Sequence, residues 1–235
     1  MLDPHALTVL GFGFVLGLRH ALDADHLVAV STVLAERPSV RGSTSIGLFW
    51  GLGHMLMLLC VGTAVMALNV TIPDSLATAL EFAIGLMLVW LGLSLARRLY
   101  RERWHLHAHD HDGRPHVHLH SHRFQPDHAH PHWSQGSLRP LLIGMAHGLA
   151  GSAALVLMVL STVAGVGEGI GYILLFGTGS ILGMMGVGLM LSLPVVCSIS
   201  FGPRAYWAVQ GLASLASIGL GLLMMVRIGF SGGPS

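Results

Sequence analysis

Arg19-His20-Ala21-Leu22-Asp23-Ala24-Asp25-His26 sits in the middle of an otherwise apolar run over residues 6–32. Crossing the hydrocarbon core of a bilayer takes about 20 apolar residues, so the run is long enough to span. A charged side chain at that depth costs about 2.5–3.5 kcal/mol on insertion scales. Arg19, Asp23 and Asp25 left facing lipid would therefore cost roughly 8–10 kcal/mol together. These groups must face the interior of a helix bundle, pair with one another, or meet an ion. Either way the chain is read as a membrane-embedded helical bundle with a polar interior.

Composition agrees. The 235 residues are 53% hydrophobic and 10% charged, whereas an average soluble domain carries roughly 25% charged residues. The 31 glycines suit close packing between membrane helices. A net charge of +1 with no lysine gives no footprint for nucleic acid. Cys60 and Cys197 lie in apolar segments without a Cys-x-x-Cys pair, and read as buried free thiols. The start, Met1-Leu2-Asp3-Pro4-His5, lacks the basic region of a signal peptide, so the first apolar run is expected to be retained.

The apolar pattern predicts helices over 6–32, 45–68, 78–99, 139–163, 168–194 and 205–228. Pro38-Ser39, Pro73-Asp74 and Gly202-Pro203 punctuate them. Pro194, inside a continuing apolar run, leaves the end of the fifth open. Ten arginines fall in or at the helix ends flanking the connections after helices one, three and five, against Arg227 alone on the other side. By the positive-inside rule both termini face outward and the long third connection is cytoplasmic.

The two halves resemble each other. Gly17-Leu18-Arg19-His20-Ala21-Leu22 matches Gly144-Met145-Ala146-His147-Gly148-Leu149. Trp50-Gly51-Leu52-Gly53-His54 matches Phe176-Gly177-Thr178-Gly179-Ser180, and Leu91-Gly92-Leu93 matches Leu220-Gly221-Leu222. With three helices per copy the second must be inverted, a transporter arrangement that puts the substrate site at the repeat interface. The expected fold is an all-α integral membrane protein of about six transmembrane helices in two inverted three-helix repeats, residues 1–100 and 139–235, joined by a loop over 101–138. Glycine pairs at Gly47/Gly51, Gly144/Gly148 and Gly179/Gly183 read as helix contacts.

On a continuous helix, Arg19, His20, Asp23 and His26 share about a third of the circumference, and Asp25 points roughly 100° from His26. His20, Asp23 and His26 then line one pathway, and Arg19 and Asp23 pair at i, i+4. Asp25 is expected to orient a ligand on another helix or to bind in a neighbouring layer. His54 and His147 fall within the same band of depth, about 10 Å thick at 1.5 Å per residue. The candidate metal ligands are therefore His20, Asp23, Asp25, His26, His54 and His147. Imidazole nitrogen and carboxylate oxygen without thiolate suit nickel, cobalt or zinc rather than copper(I). Met55, Met57 and Met66 read as packing residues.

These residues also carry a resemblance. The run Arg19 to His26 resembles the helix signature of the nickel/cobalt transporter family, His-x4-Asp-His. Leu48-Phe49-Trp50-Gly51-Leu52-Gly53-His54 resembles that family's next helix, which carries Leu-Gly-His. The resemblance implies that His20, Asp25, His26 and His54 contact the metal during transport. Longer members have eight helices and acidic motifs in their second half. Here residues 139–235 contain no aspartate, and Glu168 falls at a helix end. The chain looks more like the shorter, six-helix urease-accessory branch.

Eleven of the sixteen histidines fall in residues 105–132, alternating at His105, His107, His109, His111 and at His116, His118, His120, His122. In an extended chain each run lies on one side, and neighbouring imidazoles can share an ion, with Asp110 and Asp112 adding oxygens. Without an apolar core this loop is expected to be disordered in the absence of metal.

The reading that follows is a secondary transporter for nickel(II) or cobalt(II) in the plasma membrane, uptake ahead of efflux. The metal is cargo, with no permanently bound cofactor. Expected partners are the ion, the lipid bilayer and a cytoplasmic metallochaperone. A membrane metal sensor working through the histidine-rich loop is the alternative. An intramembrane metalloenzyme fits poorly, because there is no His-Glu-x-x-His and no nucleophile beside the cluster.

Overall fold

The computed structural model describes residues 4–36, 39–68, 70, 72–101, 106–111, 114–119, 133–150 and 165–231. Seven helices run through them: α1 Pro4–His20, α2 Ala24–Glu36, α3 Val40–Leu68, α4 Asp74–Arg101, α5 Trp133–Ala150, α6 Val166–Ser200 and α7 Pro203–Ser231. Between α4 and α5 two short strands, β1 Leu106–His111 and β2 Arg114–Leu119, pair antiparallel.

Among the described residues, four helices are long and apolar enough to cross a membrane: α3 from Gly42, α4, α6, and α7 to Phe230. Local chemistry sets their ends. Asp74 lies in the first turn of α4 and Arg98 and Arg101 in its last, each matching the sign of the helix dipole. Between α6 and α7, Gly202 takes a left-handed φ of 98° that disfavours other residues, and Pro203 then opens α7. Helix α6 continues past Pro194 to Ser200, beyond the expected end at 194. Membrane helices tolerate such a proline when neighbouring groups satisfy the freed backbone.

The first expected span is broken. The run over 6–32 forms two helices, α1 and α2, with a turn at Ala21–Asp23. There the Leu22 and Asp23 N–H groups donate to Arg19 O and His20 O, at 2.9 and 3.0 Å. These bonds reach back three residues instead of four, which tightens and ends α1. Asp23 then stands at the N-cap position of α2, where aspartate is favoured, and its carbonyl accepts from Leu27 N–H. The expected helix over 139–163 is described as far as Ala150; residues 151–164 lie outside the described residues.

The helices pack through glycine. A Cβ on Gly17 of α1 would collide with the carbonyl oxygen of Phe176 on α6, and one on Gly179 with that of Phe14. In the same way Gly144 of α5 meets the carbonyl of Trp50 on α3, and Gly53 meets that of Leu141. Gly47 and Gly51 hold α3 against α6 at Met184 and Ile181, so the expected glycine contacts are present. On the far side, Ser214 and Ser217 of α7 donate hydroxyl bonds to Gly92 O and Leu88 O of α4, at 2.9 and 2.8 Å. Gln210 caps the half-helix α2 by donating to Ala35 O at 2.6 Å.

Trp50, Leu88, Leu91 and Met184 are fully buried, while Phe12, Trp90, Leu215 and Phe230 point outward, as a lipid-facing surface requires. Cys60 and Cys197 are free but exposed, against the expectation of burial. Both lie on outward faces of otherwise apolar helices. Of the loop over 105–132, expected to be disordered without metal, residues 106–111 and 114–119 form the two strands, and the rest lies outside the described residues. The alternating sequence supplies the extended period.

Candidate metal centre

Four helical segments converge on one buried region. His20 ends α1, Asp25 and His26 lie in the first turn of α2, His54 is midway along α3, and His147 is near the end of α5. The break at Ala21–Asp23 is what makes this possible. It turns the chain so that the last residue of one helix and the first turn of the next face the same interior point. His26, His54 and His147 are fully buried and His20 is 5% exposed.

The rings are in contact. Their centroids lie 4.7 Å apart for His20 and His26, 5.1 Å for His20 and His54, 5.5 Å for His26 and His54, and 4.8 Å for His26 and His147. Asp25 reaches between helices: its Oδ1 is 3.3 Å from His26 Nδ1 and its Oδ2 is 3.8 Å from His147 Nε2. Its place in the first turn of α2 also sets a negative charge against the positive end of that helix.

Hydrogen bonds set two of the imidazoles. His20 Nδ1 donates to Asp23 Oδ2 at 2.7 Å, and His147 Nδ1 donates to Ile143 O at 3.2 Å. A neutral imidazole has one N–H and one lone pair. Holding Nδ1 as the donor leaves the Nε2 lone pair available, the arrangement usual for metal-binding histidine. In both residues Nε2 is buried without a hydrogen-bond partner, and neither ring nitrogen of His26 has one. Leaving a polar atom buried and unsatisfied costs about 1–3 kcal/mol; of these four nitrogens three can offer a lone pair at once, one from each ring, and together they ask for a ligand that accepts lone pairs. A divalent transition metal does so. Two groups of donors can hold an ion, His20/His26/His54 and Asp25/His26/His147; within each, one ligand atom per residue lies within 4.8 Å of the others.

Of the six expected ligands, the structure brings five into these groups. Asp23 belongs to neither. Its carboxylate is 49% exposed and is taken up by His20. The expected pairing with Arg19 is not formed: Arg19 is exposed. The tight turn places the Asp23 side chain over His20, three residues back, and not over Arg19, four back. The expectation that Asp25 serves a ligand on another helix matches its approach to His147. Asp25 also lies beside His26, which a straight helix would have put on a different face.

Aromatic residues complete the wall. Trp50 lies 5.1 Å from His147 and Phe176 lies 5.5 Å from His20, with Tyr172 stacked on Phe176 at 6.3 Å. The Trp50 indole N–H and the Tyr172 hydroxyl are buried without hydrogen-bond partners. Sequence reasoning gave these residues no role. Trp50 and Phe176 occupy matching positions in the two aligned runs, which is the signal that could have found them.

Comparison with known proteins gives three findings. The NicO family, described as high-affinity nickel-transport protein, matches residues 6–185. The urease accessory protein UreH of a Bacillus species, strain TB-90, is 35% identical over 195 residues, covering 82% of this chain and 79% of that protein. The hydrogenase nickel incorporation protein HupN of Bradyrhizobium diazoefficiens is 37% identical over 68 residues, covering 28% of this chain and 18% of that protein. No solved structure matches.

Proposed function

The chain belongs to the NicO family of high-affinity nickel-transport proteins, and from that premise we propose that it is a secondary transporter that takes up nickel(II), or cobalt(II), across the plasma membrane through the buried histidine and aspartate cluster. One observation carries the reading: donors from α1, α2, α3 and α5 meet inside an apolar bundle, with Nε2 of His20 and His147 and both ring nitrogens of His26 buried without hydrogen-bond partners. An ion entering a low-dielectric interior sheds water and needs replacement donors; neutral imidazole supplies nitrogen and Asp25 supplies offsetting charge. The metal is cargo. Uptake is the direction we favour, in line with a relative named a hydrogenase nickel incorporation protein. A cytoplasmic metallochaperone is the natural recipient. Nickel flux into liposomes holding a metal-quenched dye tests the activity; purified protein that binds nickel yet gives no flux would reject it.

We read the bundle as two inverted three-helix repeats spanning the membrane six times. The support is that close contacts come in pairs matched by the internal alignment. Gly17 against Phe176 corresponds to Gly144 against Trp50, and Gly179 against Phe14 corresponds to Gly53 against Leu141. In this alignment His20 corresponds to His147. The arginine count supports termini outside and the 101–138 loop in the cytoplasm. With Cys60 and Cys197 replaced, Gly113→Cys should resist an impermeant thiol reagent in intact cells; labelling from outside would reverse the orientation.

A second reading, metal sensing through the loop, has its own observation. The register of β1 and β2 sets His107 opposite His118 and His109 opposite His116, so four histidine positions share one face of the ladder. Such a loop also suits an exporter that gathers its cargo, and flux after loop deletion separates these readings.

A further inference from the structure

The five donors do not form one ring around a single point. Among the described residues they fall into two three-donor groups, His20/His26/His54 and Asp25/His26/His147, and His26 is the member common to both. The groups differ in charge. The first is three neutral imidazoles; the second contains the Asp25 carboxylate. They also differ in their supports: His20 is held by Asp23, and His147 by the carbonyl of Ile143.

His26 is built differently from the other two. Neither of its ring nitrogens has a hydrogen-bond partner, although the ring is fully buried. Its Nδ1 faces Asp25 at 3.3 Å, and its ring packs against His20 on one side and His147 on the other. A neutral imidazole offers one lone pair at a time. His26 can therefore complete either group but not both at once. The Asp25 carboxylate beside Nδ1 biases its tautomer, but no well-formed hydrogen bond fixes it, so either nitrogen can present the lone pair. His20 and His147, each tied at Nδ1, have no such freedom.

We infer that the centre holds one divalent ion at a time in two alternative positions, a neutral three-histidine position and an Asp25-containing position, and that His26 hands the ion from one to the other. The inference rests on the transport reading above for its direction through the membrane, but not for the two positions themselves. Bonds from histidine nitrogen to such metals are about 2.0–2.1 Å. The donors, within 4.8 Å of one another, need only modest side-chain movement to close on an ion at either position. A permanently tight five-donor cage would hold the ion; two incomplete positions sharing a ligand let it leave.

Cobalt(II) is the probe, because its visible absorption reports ligand type and number. Purified protein that keeps every helix but lacks residues 105–132 should bind one cobalt ion per chain. His54→Ala removes a donor from the neutral position alone, and His147→Ala from the Asp25 position alone. Each should still bind one ion, with visible spectra that differ from one another, and each should lower metal flux at least about tenfold, the scale on which lost ligand support weakens metal sites. His26→Ala should abolish binding. Two ions bound at once to the unsubstituted centre, loss of binding in either single variant as complete as in His26→Ala, or spectra unchanged by both would overturn the two positions. If an alanine variant does not fold, as judged by size-exclusion elution, His54→Gln or His147→Gln, closer in volume, takes its place under the same criteria. The predicted binding pattern without nickel flux in the unsubstituted chain would reject transport and leave the two positions standing. Flux with a single-site binding pattern would do the reverse.

Discussion

His20 Nδ1 lies 2.7 Å from Asp23 Oδ2, across the turn that separates α1 from α2. The carboxylate holds the imidazole so that its buried Nε2 keeps a lone pair toward the centre. Carboxylate, histidine and metal in series is a recurrent arrangement at metal sites, and the outer carboxylate raises the basicity of the ligand. Asp23 thus acts through His20, and the break in the helix is part of the site.

Asp23→Asn should weaken nickel binding by about 10–100-fold, the range for loss of an outer-shell partner, with membrane insertion unchanged. Arg19→Gln should leave binding as it is, because Arg19 is exposed and does not hold Asp23. Equilibrium dialysis of both variants checks this. Equal losses in the two would restore a role for an Arg19–Asp23 pair.

Gly17→Ala should destabilise the bundle by about 1–3 kcal/mol, the range for forcing extra atoms into a packed contact. The added methyl meets backbone, the Phe176 carbonyl and the Ser180 N–H, and backbone does not move aside as a side chain can. Gly186→Ala, with nothing within 4 Å of the new atom, should be neutral or mildly stabilising, since alanine is favoured over glycine in helices by about 1 kcal/mol. Thermal unfolding followed by size-exclusion chromatography compares the two. Equal melting would mean that α1 and α6 do not approach this closely.

Nickel affinity should fall as the medium is acidified. A proton and a metal ion compete for the same imidazole lone pair, and a protonated ring also repels the cation. The centre contributes binding when its histidines are neutral and loses it as they gain protons, so acid weakens and never strengthens it. Titration on protein lacking 105–132 isolates the centre from the loop histidines. Affinity unchanged by acid until the carboxylate range, about pH 4, would point to carboxylates as the only ligands.

Deleting residues 105–132 should leave flux in place and change its apparent affinity or its response to cytoplasmic metal. The loop holds eleven histidines, and the donor groups found among the described residues all come from the helices. Flux assays on the deletion give the answer, and complete loss of flux from folded, inserted protein would favour the sensor reading over transport through the buried cluster.

Much of this was legible in the chain. Helices α3, α4, α6 and α7 follow from runs of apolar residues long enough to span. The polar cluster at 19–26 announced itself by its cost in lipid. What periodicity could not show is the turn at Ala21–Asp23, because a wheel drawn through 19–26 assumes one continuous helix. That assumption gave Asp23 to Arg19 and turned Asp25 from His26. The local bonds of Leu22 and Asp23 reverse both assignments. Trp50 and Phe176 went unassigned because apolar rings carry no donor signal. Their place beside His147 and His20 depends on the glycine contacts that bring α3 to α5 and α1 to α6.

The most direct test of transport through the buried centre is nickel flux into liposomes containing the full chain, compared with His20→Ala and His26→Ala at equal reconstituted amounts. Both variants remove donors that face the interior and leave the loop sequence unchanged. The account predicts flux in the unsubstituted protein and its loss in both variants, with insertion and elution unchanged. Undiminished flux in both would contradict it, because the ion would then be crossing somewhere other than the histidine and aspartate cluster.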